Sequence, residues 1–140
     1  MHKIALTLAM GASIVSPPSQ AQEANSIDAI SATVQDYLDG TANGDPDQID
    51  RAFADSLEVQ WLGEHDQLMR RTAPDYIDQF RDGNRRDRDG RIVMIDATDR
   101  AATVKVEIEW NGRLYTDYML LLRIEGEWQI TNKIAVWTDQ

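Results

Sequence analysis

The side chain with the most chemical potential is Asp117, in the middle of the run LYTDYMLLL (residues 114–122). The tyrosines, threonine, methionine and leucines around it predict a β-strand. Asp is a poor strand former and costly to bury. A carboxylate held among apolar side chains has two states open to it. It is paired and hydrogen-bonded, or it is desolvated with a raised pKa, which suits it to general acid–base work. Candidate partners are Tyr115, Asn132 and one of Arg70 and Arg71, which sit where a strand gives way to a helix. Tyr37 and Trp61 are further candidates for the same environment, as aromatic walls of a ligand pocket or as core.

Other chemistry is poorly served. With no Cys anywhere in the chain, disulfides, thiolate metal sites and Cys nucleophiles are excluded. His65, in GEHDQ, has acidic neighbours but no second ligand at helical spacing, and reads as a surface loop residue. The stretch RRDRDGRIVMID (residues 85–96) imitates a calcium loop. Arg85 stands where that loop needs its first carboxylate, and Asp96 replaces the bidentate Glu, so a solvated turn is the better reading. Asp45, Asp47 and Asp50 cluster near a helix start, which the helix dipole explains. There is no Gly-rich phosphate loop and no credible Ser–His–Asp set. No metal and no cofactor are expected.

The elements that must position these residues follow from periodicity. Residues 25–40 predict a helix with Ile27, Ile30, Val34, Tyr37 and Leu38 on one face, Ser26 as N-cap and Gly40 at its end. Asp45 and Pro46 open a short second helix carrying Ile49, Ala52 and Phe53. LEVQWLG and QLMRR predict a small hairpin. Thr72 and Asp75 begin a third helix with Tyr76, Ile77 and Phe80 buried. From residue 91 onward four strands follow, joined by the turns TDR, NG and EG. The expected class is α+β, with three helices covering one face of a curved antiparallel sheet.

Hairpin counting places Asp117. If Asn111-Gly112 is a two-residue turn, Trp110 pairs with Arg113, Ile108 with Tyr115, Val106 with Asp117 and Val104 with Met119. Paired residues share a sheet face. That puts Asp117 on the apolar face of the preceding strand, pointing inward. Carrying the count through a two-residue Glu125-Gly126 turn adds Trp128, Ile130, Asn132, Ile134 and Val136 to the same face, with Asn132 diagonal to Asp117; a three-residue loop with a bulge would shift this register by one. The opposite face carries Leu114, Thr116, Tyr118 and Leu120.

The whole chain sets outer limits. One domain is expected from 140 residues, and the net charge of −10 disfavours nucleic acid and anionic membrane surfaces. The N-terminus reads as a signal peptide over residues 1–21. Lys3 is its basic residue, residues 4–15 form an apolar run too short to span a bilayer, and Ser19-Gln20-Ala21 is the cleavage motif. Residues 22–140 are then the exported domain, periplasmic or secreted.

Order and phrasing also resemble a known family. AFADSLEVQW after a short helix resembles the second helix and first strand of the NTF2-like superfamily. YTDYMLLLRIEGEWQITNKI is similar to the last two strands of its SnoaL-like branch, and in particular of the putative lumazine-binding family. The carrying residues are Thr116-Asp117-Tyr118, Gly126-Glu127-Trp128 and Asn132-Lys133. The resemblance implies a cone, in which a strongly bent sheet wraps a cavity closed by the helices. It also implies a homodimer through the outer sheet face, here Leu114, Tyr118, Leu120 and Leu122. No catalytic set comes with it. Three functions stay open: a binding protein for a small, largely apolar ligand; an isomerase, dehydratase or hydrolase with Asp117 as acid or base and Tyr115 and Asn132 orienting substrate; or a dimeric interaction module whose cavity is filled by its own side chains.

Overall fold

A computed structural model describes residues 11–17 and 19–140. Most of the expected signal sequence lies outside or at the edge of the described residues, but Gln20 and Ala21 form the first turn of a helix.

That helix, α1 (Gln20–Asn43), is capped by Ser19, seven residues before the expected cap Ser26. Ser19 and Gln22 form a reciprocal capping box that satisfies two backbone N–H groups, an arrangement Ser26 does not supply. It runs past Gly40 and ends at Gly44, whose φ of 66° closes the C-terminus in the left-handed region. Ile30, Val34, Tyr37, Leu38 and Thr41 form its buried stripe, whereas Ile27 is partly exposed. Gly40 instead serves close packing. A Cβ there would stand 2.8 Å from the Ile49 side chain and 2.9 Å from its backbone nitrogen.

Ile49 belongs to α2 (Pro46–Ala52), which opens as expected with Asp45 accepting from the Gln48 N–H and proline in the first turn. Strands β1 (Phe53–Leu62) and β2 (Leu68–Thr72) form the small hairpin. Thr72 caps α3 (Ala73–Asp78) by accepting from the Asp75 N–H. The meander then runs through β3 (Asp89–Ala97), β4 (Ala101–Trp110), β5 (Arg113–Ile124) and β6 (Glu127–Asp139). Residues 89–96 are thus extended strand, which removes the loop a calcium site would need.

All six strands form one sheet in the order β2-β1-β6-β5-β4-β3. It is mixed rather than purely antiparallel, because β1 lies parallel to β6. The long connection from β1 to β6, through β2, α3 and the first three strands of the meander, frees that pair from the hairpin geometry that forces neighbouring strands to run oppositely. Helices pack on the concave face over a core that includes Ile30, Val34, Val104, Val106, Met119 and Ile130.

The β4–β5 register is the counted one without interruption, from Trp110 with Arg113 to Ala101 with Leu122. Asn111 and Gly112 have φ of 51° and 73°, as a two-residue type I′ turn requires. Glu125 and Gly126 make the same turn at 50° and 85°. The expected β5–β6 count holds from this turn to Ile130 and then fails. Leu121 pairs with Ile130 but Leu120 with Asn132, so Thr131 is an inserted bulge, its hydroxyl donating to the Leu120 carbonyl at 3.2 Å. Trp128 and Ile130 therefore point inward as expected. Beyond the bulge the phase reverses: Lys133 is buried and Ala135 half-buried, while Asn132, Ile134 and Val136 face out.

Candidate functional site

The cone encloses a cavity of about 400 Å³, walled by β1, β2, α3, the loop before β3, and the ends of β4–β6. Its floor is polar and built from three elements. Tyr37 comes from the C-terminal part of α1. Asp117 comes from β5, inward because of the Asn111-Gly112 register. Lys133 comes from β6, inward because of the Thr131 bulge, and pairs across with Met119, two residues from Asp117. Diagonal side chains at that spacing come within reach of each other.

Asp117 is 1% exposed and Lys133 4%. The Lys133 ammonium donates to Asp117 Oδ2 at 3.0 Å and the Tyr37 hydroxyl donates to the same oxygen at 2.7 Å. Two charges taken out of water lose several kcal/mol of hydration each, on the order of what a close pair with added hydrogen bonds returns. Lys133 is further held against two aromatic faces, 5.3 Å from the Tyr37 centroid and 5.2 Å from that of Tyr76. The Tyr76 hydroxyl lies 3.3 Å from that of Tyr37. Burial, and after it the negative charge of Asp117, raise the Tyr37 pKa well above 10.0. Tyr37 is therefore a protonated donor at neutral pH.

Above this floor the walls are aromatic. Trp110, Tyr115 and Trp137 form a tilted ladder with centroids 6.0 and 5.9 Å apart, and Trp61 and Phe80 line the cavity with them. Arginines stack on these rings: Arg71 on Trp61 at 5.0 Å, Arg86 on Phe80 at 4.4 Å and Arg88 on Trp110 at 5.5 Å. Arg86 is used locally, donating to the carbonyls of Asn84 and Gln79. Arg88 is different. Its Nε is buried and makes no hydrogen bond, the single such side-chain atom among the described residues. Burial works against its charge, but the facing oxygens of Tyr37, Tyr76 and Asp117, with Tyr37 also within hydrogen-bonding reach of the guanidinium, outweigh that, and its pKa is raised.

Of the residues picked from sequence, Tyr37, Trp61, Tyr115 and Asp117 meet in this cavity. Asn132 does not. It is exposed on the outer face, because Thr131 shifts the phase of β6. Asp117 is paired with Lys133 rather than with Arg70 or Arg71. Arg70 points outward from β2, and Arg71, though at the cavity, stacks on Trp61. His65 sits in the exposed turn between β1 and β2, with φ of 55°. Lys133 and Arg88 were missed. The first was hidden by a bulge with no local signature, the second by a loop of alternating charges that reads as solvated. Among the described residues no cluster of His, Asp and Glu is arranged to hold a metal ion.

Comparison with known proteins gives the same outline. The chain is 36% identical over 62 residues to aldolase FrzH of a Cladobotryum species, a match covering 43% of this chain and 48% of that protein, about half its length. A solved NTF2-like protein of unknown function from Shewanella baltica OS155 superposes with a TM-score of 0.77 at 21% identity, covering 88% of this chain and 99% of the other. A putative scytalone dehydratase from Novosphingobium aromaticivorans DSM 12444 does so with a TM-score of 0.67 at 13% identity, covering 87% and 92%. At these identities the structural likeness is one of fold. Residues 25–135 match the family model described as putative lumazine-binding. With its cone of three helices on a curved six-stranded sheet, the chain belongs to the putative lumazine-binding family and has the NTF2-like fold.

Proposed function

We propose that this protein binds a small, flat, largely apolar molecule inside its cone. The observation that carries the reading is the cavity of about 400 Å³ with aromatic walls and a fixed polar floor. That volume suits a compact ligand, and preplaced donors at the closed end give it one orientation. A cavity of this size also weighs against a module filled by its own side chains. The test is a thermal-shift screen of the domain against small aromatic compounds, with calorimetry and co-crystallisation of any hit. Hits that stabilise the protein and seat between Trp61 and Trp110 support the reading. Hits that bind only on the outer sheet face would refute it.

A second reading, acid–base catalysis at the cavity floor, is favoured by one observation. The hydroxyls of Tyr76 and Tyr37 lead in sequence to Asp117, a path by which a proton could move between ligand and carboxylate. Against it, Lys133 already neutralises that carboxylate. Aldol and dehydration chemistry both shift protons next to a carbonyl, so such substrates are the ones to assay. Turnover that survives Tyr37→Phe and Asp117→Asn undiminished would end this reading.

Two properties of the whole protein complete the proposal. Export to the periplasm or medium is supported by the charge, apolar run and cleavage motif of residues 1–21. No helix among the described residues is long and apolar enough to cross a membrane. Homodimerisation is supported by the outer sheet face, where Tyr118, Leu120, Leu122, Ile134 and Val136 are each between 42% and 54% exposed.

A further inference from the structure

We propose that the ligand of the cone is an anion, a flat conjugated carboxylic acid whose carboxylate is received by Arg88. This rests on the reading of the cone as a ligand pocket and names the chemical class that pocket takes.

The argument is one of charge and unmet hydrogen bonding. The chain carries 24 acidic residues against 14 basic ones, yet the cavity reverses that balance. Arg71, Arg86, Arg88 and Lys133 line it, and Asp117 is the single carboxylate among the lining residues. Asp117 is occupied by Lys133. Arg86 is turned to backbone carbonyls and to Asp82. Two guanidinium groups remain, and neither makes an ion pair among the described residues. Arg71 lies on Trp61 as a half-buried lid. Arg88 lies deeper, its Nε buried and without a partner.

A buried N–H donor left unpaired costs on the order of 1–3 kcal/mol, more when the group is charged. Such a group is retained where something outside the chain completes it. A guanidinium edge matches a carboxylate with two parallel hydrogen bonds. Arg88 sits over the Trp110 ring at 5.5 Å, and Trp110 packs on Tyr115, so an anion bonded to Arg88 would have its conjugated body beside these aromatic walls. The neighbouring Tyr37 phenol adds no negative charge, since its proton is firmly held and is donated to Asp117. The far end of the pocket therefore repels no anion beyond what the paired Asp117 contributes.

The experiment uses the full chain and the fluorescence of its tryptophans, three of which line the cavity. 2-Naphthoate, trans-cinnamate and benzoate are titrated beside their neutral amides, into the wild type and into Arg88→Gln, Arg88→Lys and Arg71→Gln. Thermal melting confirms that each variant is folded. The expected result is that at least one acid binds the wild type about tenfold or more tighter than its amide, the scale of one charge-assisted hydrogen bond. Arg88→Gln should erase that preference, Arg88→Lys should keep part of it, and Arg71→Gln should lower affinity for acid and amide alike. Equal binding of acids and amides overturns the inference and leaves the pocket reading standing. A preference for the acid that Arg88→Gln leaves unchanged also overturns it. If neither acids nor amides bind, both the inference and the pocket reading fall. If Arg88→Gln does not fold, equal binding by the wild type still overturns the inference, and Arg88→Lys takes its place in testing the assignment to Arg88.

Discussion

Asp117 and Lys133 cannot be valued separately. Each is the reason the other is tolerated in the core. Asp117→Asn would leave the Lys133 ammonium buried without a counter-charge, and the expected loss is about 3–5 kcal/mol of unfolding free energy. The double change Asp117→Leu with Lys133→Met removes both charges and keeps roughly the volume, and should lose far less than either single change. Urea unfolding of the two singles and the double measures the coupling. If the double loses as much as the sum of the singles, the pair is not the unit described here.

Tyr37 carries a pH signature of its own. Its pKa is raised in the folded protein above the 10.0 of an exposed phenol, first by burial and then by Asp117. Above pH 10 the unfolded chain gives up that proton while the folded one keeps it. The stability Tyr37 contributes is thus complete below pH 10 and is lost as pH climbs toward its folded value. Urea midpoints should fall more steeply between pH 9.5 and about 11 in the wild type than in Tyr37→Phe. Parallel slopes for the two proteins would show that Tyr37 ionises as freely in the folded state as in the unfolded chain.

At the scale of elements, the site depends on how closely α1 approaches its neighbours and on where β6 changes phase. Gly40 permits the first. Its missing Cβ leaves room for Ile49 of α2, at distances no real Cβ would accept without movement. Gly40→Ala improves helix propensity but forces α1 and α2 apart, and overpacking of this kind costs about 1–3 kcal/mol. The variant should melt lower despite that propensity gain. Because Tyr37 lies one turn earlier on the same helix, the near-ultraviolet circular dichroism of the aromatic cluster should weaken too. A Gly40→Ala protein that melts higher than the wild type would mean that the helices have slack between them.

The bulge at Thr131 sets the second condition. It separates the half of β6 that builds core, Trp128 and Ile130, from the half that builds site and outer face. Without the extra residue's change of phase, Asn132 would face the cavity and Lys133 the solvent. Asp117 would then lose the cation it is bonded to. The chemistry at the floor of the cone is in this sense a product of one irregular residue in a strand.

At the scale of the whole molecule, the outer face of the sheet is as conspicuous as the cavity. Tyr118, Leu120 and Leu122 of β5 stand beside Ile134 and Val136 of β6, all exposed in the single chain. Leu114, expected there too, is already half-buried. A continuous apolar strip of this kind is what a homodimer would cover. Sedimentation velocity should find a dimer for the wild type at micromolar concentration and a monomer for Leu120→Glu combined with Ile134→Lys. Both sites point away from the cavity, so ligand binding in the monomeric variant should persist. A monomeric wild type would leave the strip to another partner.

Local sequence determined much of this. The helix caps at Asp45 and Thr72, the two type I′ turns and the strand alternation are written in short stretches. Counting back from Asn111-Gly112 was enough to turn Asp117 inward, because side-chain direction in a hairpin has a period of two and follows from its turn. Tyr37, Trp61 and Tyr115 could be named as walls for a similar reason, since each lies on the apolar face of its own element. What tertiary structure decided was everything that depends on contacts distant in sequence. The parallel seating of β1 against β6, the bulge that exchanges Asn132 for Lys133, and the folding of Arg88 from a charged loop onto Trp110 have no local signature. They are settled by which arrangement closes the cone and meets the needs of the groups buried in it, and that is a property of the packed chain rather than of any segment of it.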